Sequence, residues 1–257
     1  MDSQTPGSDP APAEAGSGGL LEAALREKIR KLEGLGVDPW GVRFDGHAAL
    51  NVIRRRTDEI EYRPSAEGAP RRPPAGADIK TWLEQQPPGE WHGPEVRAAG
   101  RIVLQRKTGK LIFLDIRDWT GRIQIFIGRK QVGEESWAIA ECLDLGDLLG
   151  VDGQLRYTKT GELTIFAERL HFLTKSIETP PEKHKGLTDP GLRQRMRYLD
   201  LAYNEGSLER FLSRSRIVQS IRTTLAAQSF VEVEGPTLHT IAGGAAARPF
   251  TTHHNAL

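Results

Sequence analysis

The sequence predicts an α+β protein: a helix near the N-terminus, a five-stranded β-barrel in the middle, and a second mixed segment after it. Three observations carry this. Apolar residues recur at helical spacing from Leu20 to Leu32, a period of two dominates between Val96 and Leu173, and helical spacing returns from Phe211 to Leu225.

Composition narrows the functional classes. Lys and Arg total 35 against 34 Asp and Glu over 257 residues, a formal charge of +1, so any basic surface must be local. Hydrophobic residues make up 38% and charged residues 27%, as in ordinary soluble domains. The single cysteine, Cys142, excludes an internal disulfide and fits a reducing compartment. No run reaches the ~20 apolar residues of a membrane helix, and the N-terminus lacks the basic start and apolar core of a signal peptide. The expectation is a cytoplasmic protein without a membrane partner.

Residues 1–19 are mostly Ala, Gly, Pro, Ser and Asp and are expected to form a disordered tail. From Leu20, the residues Leu21, Ala24, Leu25, Ile29 and Leu32 share one helical face, and Gly34, Gly36 and Pro39 supply a stop. Such a helix either packs on the next domain or lies on RNA. Residues 20–94 are read as this helix followed by an insertion or linker. Arg71-Arg72-Pro73-Pro74 and Pro87-Pro88-Gly89 argue for linker, with a short helix near Asp78 to Gln86. Arg54-Arg55-Arg56 is either a phosphate contact or a solvated helix end.

Residues 95–175 carry the strand pattern. Strands are expected at Arg97–Arg106, Leu111–Ile116, Arg122–Ile127, Leu148–Tyr157 and Glu162–Leu173, with a helix from Glu134 to Leu143 after the third. Three strands, a helix and two strands in about 80 residues is the order of an OB barrel; a small barrel of another type is the alternative. OB barrels bind oligonucleotides on strands 2 and 3 and on the loops between strands 1–2 and 4–5. Single-stranded bases need rings to stack on and polar groups to read their edges. Phe113 sits on strand 2, Gln124 on strand 3, Arg106 and Lys107 end strand 1, and Glu162 opens strand 5. The bland reading, with Phe113 in the core and Gln124 merely exposed, stays open.

Residues 176–257 form a linker and a second domain. Lys183, Lys185, Arg193, Arg195 and Arg197 outnumber Glu182 and Asp189, a local charge suited to phosphate or to solvent. Phe211–Leu225 is expected as an amphipathic helix and Phe230–Glu234 as a strand. The small residues from Gly243 to Ala247 allow close backbone approach, as any Gly/Ala turn would. His253 and His254 alternate faces on a strand and have no partner at tetrahedral spacing, so no metal site is expected. No Walker-type phosphate loop occurs.

Several strings resemble the class II lysyl-tRNA synthetases. Arg195-Met196-Arg197-Tyr198-Leu199-Asp200-Leu201 resembles the "RQRYLDL" opening of their catalytic domain, and Phe230 to Pro236 resembles motif 1. Gly243 to Leu257 is similar almost letter for letter to "GGAAARPFxTHHNAL". Leu145-Gly146-Asp147, Thr158 to Leu163 and Gly186-Leu187 agree as well. The resemblance spans residues 20–257 and is weakest from Arg54 to Pro94. Aspartyl and asparaginyl relatives share the architecture but not the terminal string.

The resemblance implies an OB domain that reads the U-rich lysine anticodon. It gives Phe113 a stacking role, Gln124 and Glu162 base-edge roles, and Arg106 a phosphate or base contact. It implies the start of an antiparallel-sheet catalytic domain in which Gly243 or Gly244 touches lysine. It also implies ATP and Mg²⁺ as cofactors, tRNA-Lys and lysine as partners, no DNA, and a homodimer through motif 1. The reaction would be lysyl-adenylate formation followed by lysyl transfer to tRNA. Motifs 2 and 3, with the nucleotide and metal ligands, do not occur in these 257 residues, so the chain alone is expected to be inactive and poorly soluble, with no catalytic residue assigned. Ser229, Gly235 and Gln105 replace a usual glycine, threonine and arginine. The alternative function is a non-catalytic tRNA-binding OB protein.

Overall fold

The computed structural model describes residues 18–178, 186–236 and 252–253. The chain divides into two compact units, Met1–Gly186 and Leu187–Leu257. The tail expected over 1–19 falls almost wholly outside the described residues.

Helix α1 (Gly18–Gly34) buries Leu25, Ile29 and Leu32, spaced four and three apart on one face. Packing rather than an exposed face is therefore its role within this unit. Its end is fixed by geometry that only a residue tolerating positive φ accepts. Gly36 has φ 74°, its amide donates to the Glu33 carbonyl at 2.9 Å, and the Val37 amide donates to Leu32 at 3.0 Å. These are the paired bonds of a Schellman stop. Helix α2 (Leu50–Arg54) and a 3-10 turn (Arg56–Glu59) follow.

The barrel comprises β3 (Glu95–Thr108), β4 (Leu111–Arg117), β5 (Arg122–Gly128), β6 (Leu148–Tyr157) and β7 (Leu163–Thr174). It closes in the order β3-β4-β5-β7-β6, with only the β5–β7 pairing parallel. Ile112, Leu114 and Ile116 alternate inward with Ile123, Ile125 and Ile127 opposite, all essentially fully buried. Each such side chain contributes about 1.5–3 kcal/mol by leaving water. Strand β3 serves two neighbours: Glu95–Arg101 pairs with β6, and Arg101–Thr108 pairs with β4 across a register shift between Ile102 and Leu104. Helix α4 (Arg129–Glu141) is kinked at Gly133 (φ 75°, ψ 173°), so its regular turns begin where the sequence places them, at Glu134.

A buried lysine ties α1 and the chain after β7 to the barrel. Lys175 Nζ donates to Asp147 at 2.8 Å, Asp144 at 2.6 Å and the Cys142 carbonyl at 2.9 Å, while Lys28 pairs with Asp144 from α1. A buried charge persists only when its hydrogen bonds are met in this way. Burial pushes the neighbouring Cys142 thiol up from its ordinary range, so it is a packing residue and not a reactive one.

Residues 54–94 depart from the linker reading. Strands β1 (Glu61–Pro64) and β2 (Gly89–His92) pair antiparallel, and α3 (Ile79–Glu84) lies between them in sequence. Asp78 caps α3 by accepting from the Thr81 amide at 2.8 Å. Tyr62, Trp82 and Trp91 are buried together, at ring separations of 5.1 to 5.7 Å. The prolines punctuate a small folded element and do not mark loose chain.

The second unit has α5 (Pro190–Arg195), α6 (Arg197–Tyr203) and α7 (Ser207–Ala227). Helix α5 and the start of α6 occupy the basic stretch around Arg193, Arg195 and Arg197 that was read as linker, and α7 contains the helix expected at Phe211–Leu225. Asp200 is fully buried and accepts from Arg193 at 2.6 Å, from Asn204 at 2.9 Å and from Arg197. Phe230–Glu234, expected as a strand, pairs with no strand among the described residues, and Val231 and Val233 are both 83% exposed. A strand exists only by pairing, so its sequence pattern alone does not form one. Ile217, Ile221 and Leu225 of α7 are likewise exposed.

Candidate nucleic-acid interface

Alternation on β4 and β5 that buries the isoleucines turns Phe113, Asp115, Gln124 and Phe126 to the outside of the barrel. The ladder sets them opposite one another: Arg106 faces Phe113, Phe113 faces Phe126, and Asp115 faces Gln124. The parallel β5–β7 pairing continues the row, with Gln124 beside Thr164 and Phe126 beside Phe166.

Two adjoining features result. The first is a polar groove of about 700 Å³ lined by Arg106, Gln124 and Glu162, together with Asn51, Arg54 and Arg122. Arg106 and Glu162 have no side-chain partner among the described residues, so both are available to a ligand. The second is a row of rings: Phe113–Phe126 at 5.2 Å, Phe126–Phe166 at 5.0 Å, and the Arg156 guanidinium 5.4 Å from the Phe166 ring centre. Stacking surface and hydrogen-bonding groups lie side by side, as base recognition in single strands requires.

The groove is held rigidly at one end. Asp118 accepts from the Thr120 and Gly121 amides at 2.7 and 2.9 Å, closing the β4–β5 turn, and its other oxygen accepts from the Leu50 amide at 2.8 Å. This docks α2 beside the turn, and Arg54 donates to the Arg122 carbonyl at 3.0 Å. Arg122 is itself 3.5 Å from Asp115. Thr164, fully buried, lies 2.9 Å from Gln124 Oε1 and fixes that amide.

Of the residues singled out in the sequence, Arg106, Gln124 and Glu162 meet in one groove. Phe113 stands just outside it, half-buried on the outer face and not in the core. Glu162 lies in the loop before β7, one residue ahead of the strand. Gly243 and Gly244 lie outside the described residues. Sequence reasoning passed over Asn51, Phe126, Arg156 and Phe166. Phe126 shares the outward parity of Gln124 and could have been found. Phe166 and Arg156 join only through the β5–β7 and β6–β7 pairings, which no local pattern encodes. Among the described residues no group of three or more His, Cys, Asp or Glu side chains is placed to hold a metal ion, and no helix is long and apolar enough to cross a membrane.

A family model described as an OB-fold nucleic acid binding domain matches residues 96–173, the barrel itself. A second, for class II tRNA synthetases (D, K and N), matches residues 189–257. The lysine–tRNA ligase of Thermoanaerobacter sp. (strain X514) is 43% identical over 232 residues, covering 90% of this chain and 40% of the relative. Those of Staphylococcus saprophyticus and Latilactobacillus sakei are each 40% identical over 232 residues. The chain thus carries an OB-fold nucleic acid binding domain followed by class II tRNA synthetase sequence, and over both it is similar to lysine–tRNA ligases. It spans 40 to 42% of the length of these relatives.

Proposed function

We propose that this chain is part of a lysine–tRNA ligase and that its barrel reads the anticodon of lysine tRNA. The observation supporting this most is the meeting of Arg106, Gln124 and Glu162 in one groove beside the Phe113–Phe126–Phe166 row. With Gln124 Oε1 engaged by Thr164, its Nε2 hydrogens remain for a pyrimidine carbonyl, and ionised Glu162 accepts from a base N–H. Phe113 supplies a face for stacking, and Arg106 a cation for phosphate or a base edge.

The whole protein would couple ATP cleavage to joining lysine and tRNA, in the cytoplasm, as a dimer through motif 1, with Gly243 and Gly244 at the lysine pocket. ATP and Mg²⁺ are what the family uses. The described residues do not fit them: Asp200, the buried carboxylate of the second unit, already has its cationic and amide partners.

The test is binding of a lysine anticodon stem-loop by fluorescence anisotropy at several salt concentrations. Glu162→Gln should weaken binding and relax base preference. Arg106→Ala, if it removes a phosphate contact, should weaken all sequences alike and lower the salt slope by about one. Unchanged affinity in both variants would exclude this face as the binding site.

A further inference from the structure

We infer that residues 61–92 are a brace that sets the position of Glu162, with Ile79, Trp91 and Tyr157 acting as positioning residues. This deepens the anticodon reading above and rests on it.

The element could instead extend the RNA surface, but its charge argues otherwise. Four cations (Arg63, Arg71, Arg72, Lys80) stand against five carboxylates (Glu61, Glu67, Asp78, Glu84, Glu90), and Arg72 is already paired with Glu61 at 2.8 Å. Such a balance gives little attraction to phosphate. What the element does possess is a rigid aromatic core aimed at one loop.

That loop joins β6 to β7, runs from Thr158 to Glu162, and is gripped at both ends. At its start, Tyr157 packs against Trp91 at 5.1 Å, and Trp91 is held by Trp82 at 5.6 Å and Tyr62 at 5.1 Å. At its end, Gly161 has φ +83°, and a Cβ there would stand 3.1 Å from the Lys80 amide nitrogen and 3.2 Å from Ile79 Cβ. The first turn of α3 therefore rests directly on the residue preceding Glu162. Within the loop, the Thr158 amide donates to the Glu162 carbonyl at 2.9 Å, and the Glu162 amide donates to Thr158 Oγ1 at 3.1 Å. The brace is anchored in turn. The Leu155 amide donates to Pro94 at 3.0 Å, and Gly93 lies so close to the Leu155 carbonyl that a Cβ would be 1.8 Å from it.

Hairpin tips are ordinarily mobile. Here the tip carries a carboxylate that must meet a base edge, and a loop fixed before binding loses less freedom when the base arrives. No residue of 61–92 lines the groove, so the brace acts on it through Glu162.

The experiment is a double-variant comparison in the full chain. The probes are a lysine anticodon stem-loop and the same RNA with each anticodon position replaced in turn. Ile79→Ala keeps the Cβ nearest Gly161 but strips the rest of the side chain that seats α3 on the core, and Gly161→Ala forces the loop away from α3. Each should lower discrimination between the RNAs by at least about threefold. Neither should lower it further in a Glu162→Gln background, where the group being positioned is already blunted. Losses that add to those of Glu162→Gln, or full discrimination in a folded Ile79→Ala protein, overturn the brace while leaving the anticodon reading intact. If Glu162→Gln itself changes nothing, the anticodon role of Glu162 falls, and the brace with it. Should Gly161→Ala fail to fold, Ile79→Ala decides alone.

Discussion

The Thr164 hydroxyl lies 2.9 Å from Gln124 Oε1 on the neighbouring parallel strand. Thr164 Oγ1 is also 3.1 Å from the Glu162 main-chain carbonyl, so its single proton is shared between the Gln124 amide oxygen and the backbone beside the Glu162 carboxylate. Thr164→Val keeps the shape and deletes the hydroxyl. We expect a stability loss of about 0.5–1.5 kcal/mol, measured by urea unfolding, and weaker discrimination among anticodon stem-loops. Wild-type discrimination in this variant would mean that Gln124 is oriented by something else.

Phe113 and Phe126 touch at 5.2 Å, but only Phe126 also touches Phe166. Replacing the terminal ring should therefore act on RNA, and replacing the central ring should act on RNA and on the barrel. Phe113→Ala is expected to weaken RNA binding by ~1–3 kcal/mol if a base stacks there, with a smaller drop in melting temperature than Phe126→Ala. Unaltered RNA affinity in Phe113→Ala would remove the stacking role.

His92, on β2, has its pKa held below the ordinary 6.5, first by burial and then by the charges of Arg63 and Arg156. The neutral ring is the form the fold prefers. Its stability is present above 6.5 and is lost as pH falls below that value. Between pH 7.5 and 5, amide exchange of β1 and β2 should accelerate while that of the barrel core stays constant, as followed by hydrogen-exchange mass spectrometry. Uniform protection across this range would show that His92 does not couple to the element.

Asp200 makes the opposite linkage in the second unit. Burial alone would raise its carboxyl, yet hydrogen bonds from Arg193 and Arg197 outweigh that and bring it below 3.8. Its stabilisation is present above 3.8 and disappears as pH falls through the lowered value. Asp200→Ala leaves two guanidinium groups without their shared acceptor and should cost about 3 kcal/mol. Circular dichroism should register the loss of α5 and α6 at neutral pH. A variant as helical and as heat-stable as the parent would contradict this.

The barrel was legible because its evidence is local. Ile112, Leu114 and Ile116, followed by Ile123, Ile125 and Ile127, declare two strands and an inward face before any pairing is known. The groove was partly legible for the same reason: alternation set Gln124 opposite the isoleucines of its strand, while Phe113 stayed open between core and surface until the structure turned it outward. Residues 61–92 were legible only in the short helix near Asp78; the rest was not, because its core is assembled from Tyr62, Trp82, Trp91 and Tyr157, which are distant in sequence and joined by pairing. Their prolines and glycines read as linker when they are the turns of a small fold. Phe230–Glu234 shows the converse: an alternating pattern without a partner strand among the described residues.

The most direct test of the account compares the wild-type chain with a U-rich lysine anticodon stem-loop and with loops of equal length and charge in which those uridines are replaced. The account predicts preferential binding of the U-rich loop, a preference reduced by Glu162→Gln and by Thr164→Val. Equal affinity for all loops, with only a common salt dependence, would contradict it and leave the barrel a non-specific phosphate binder.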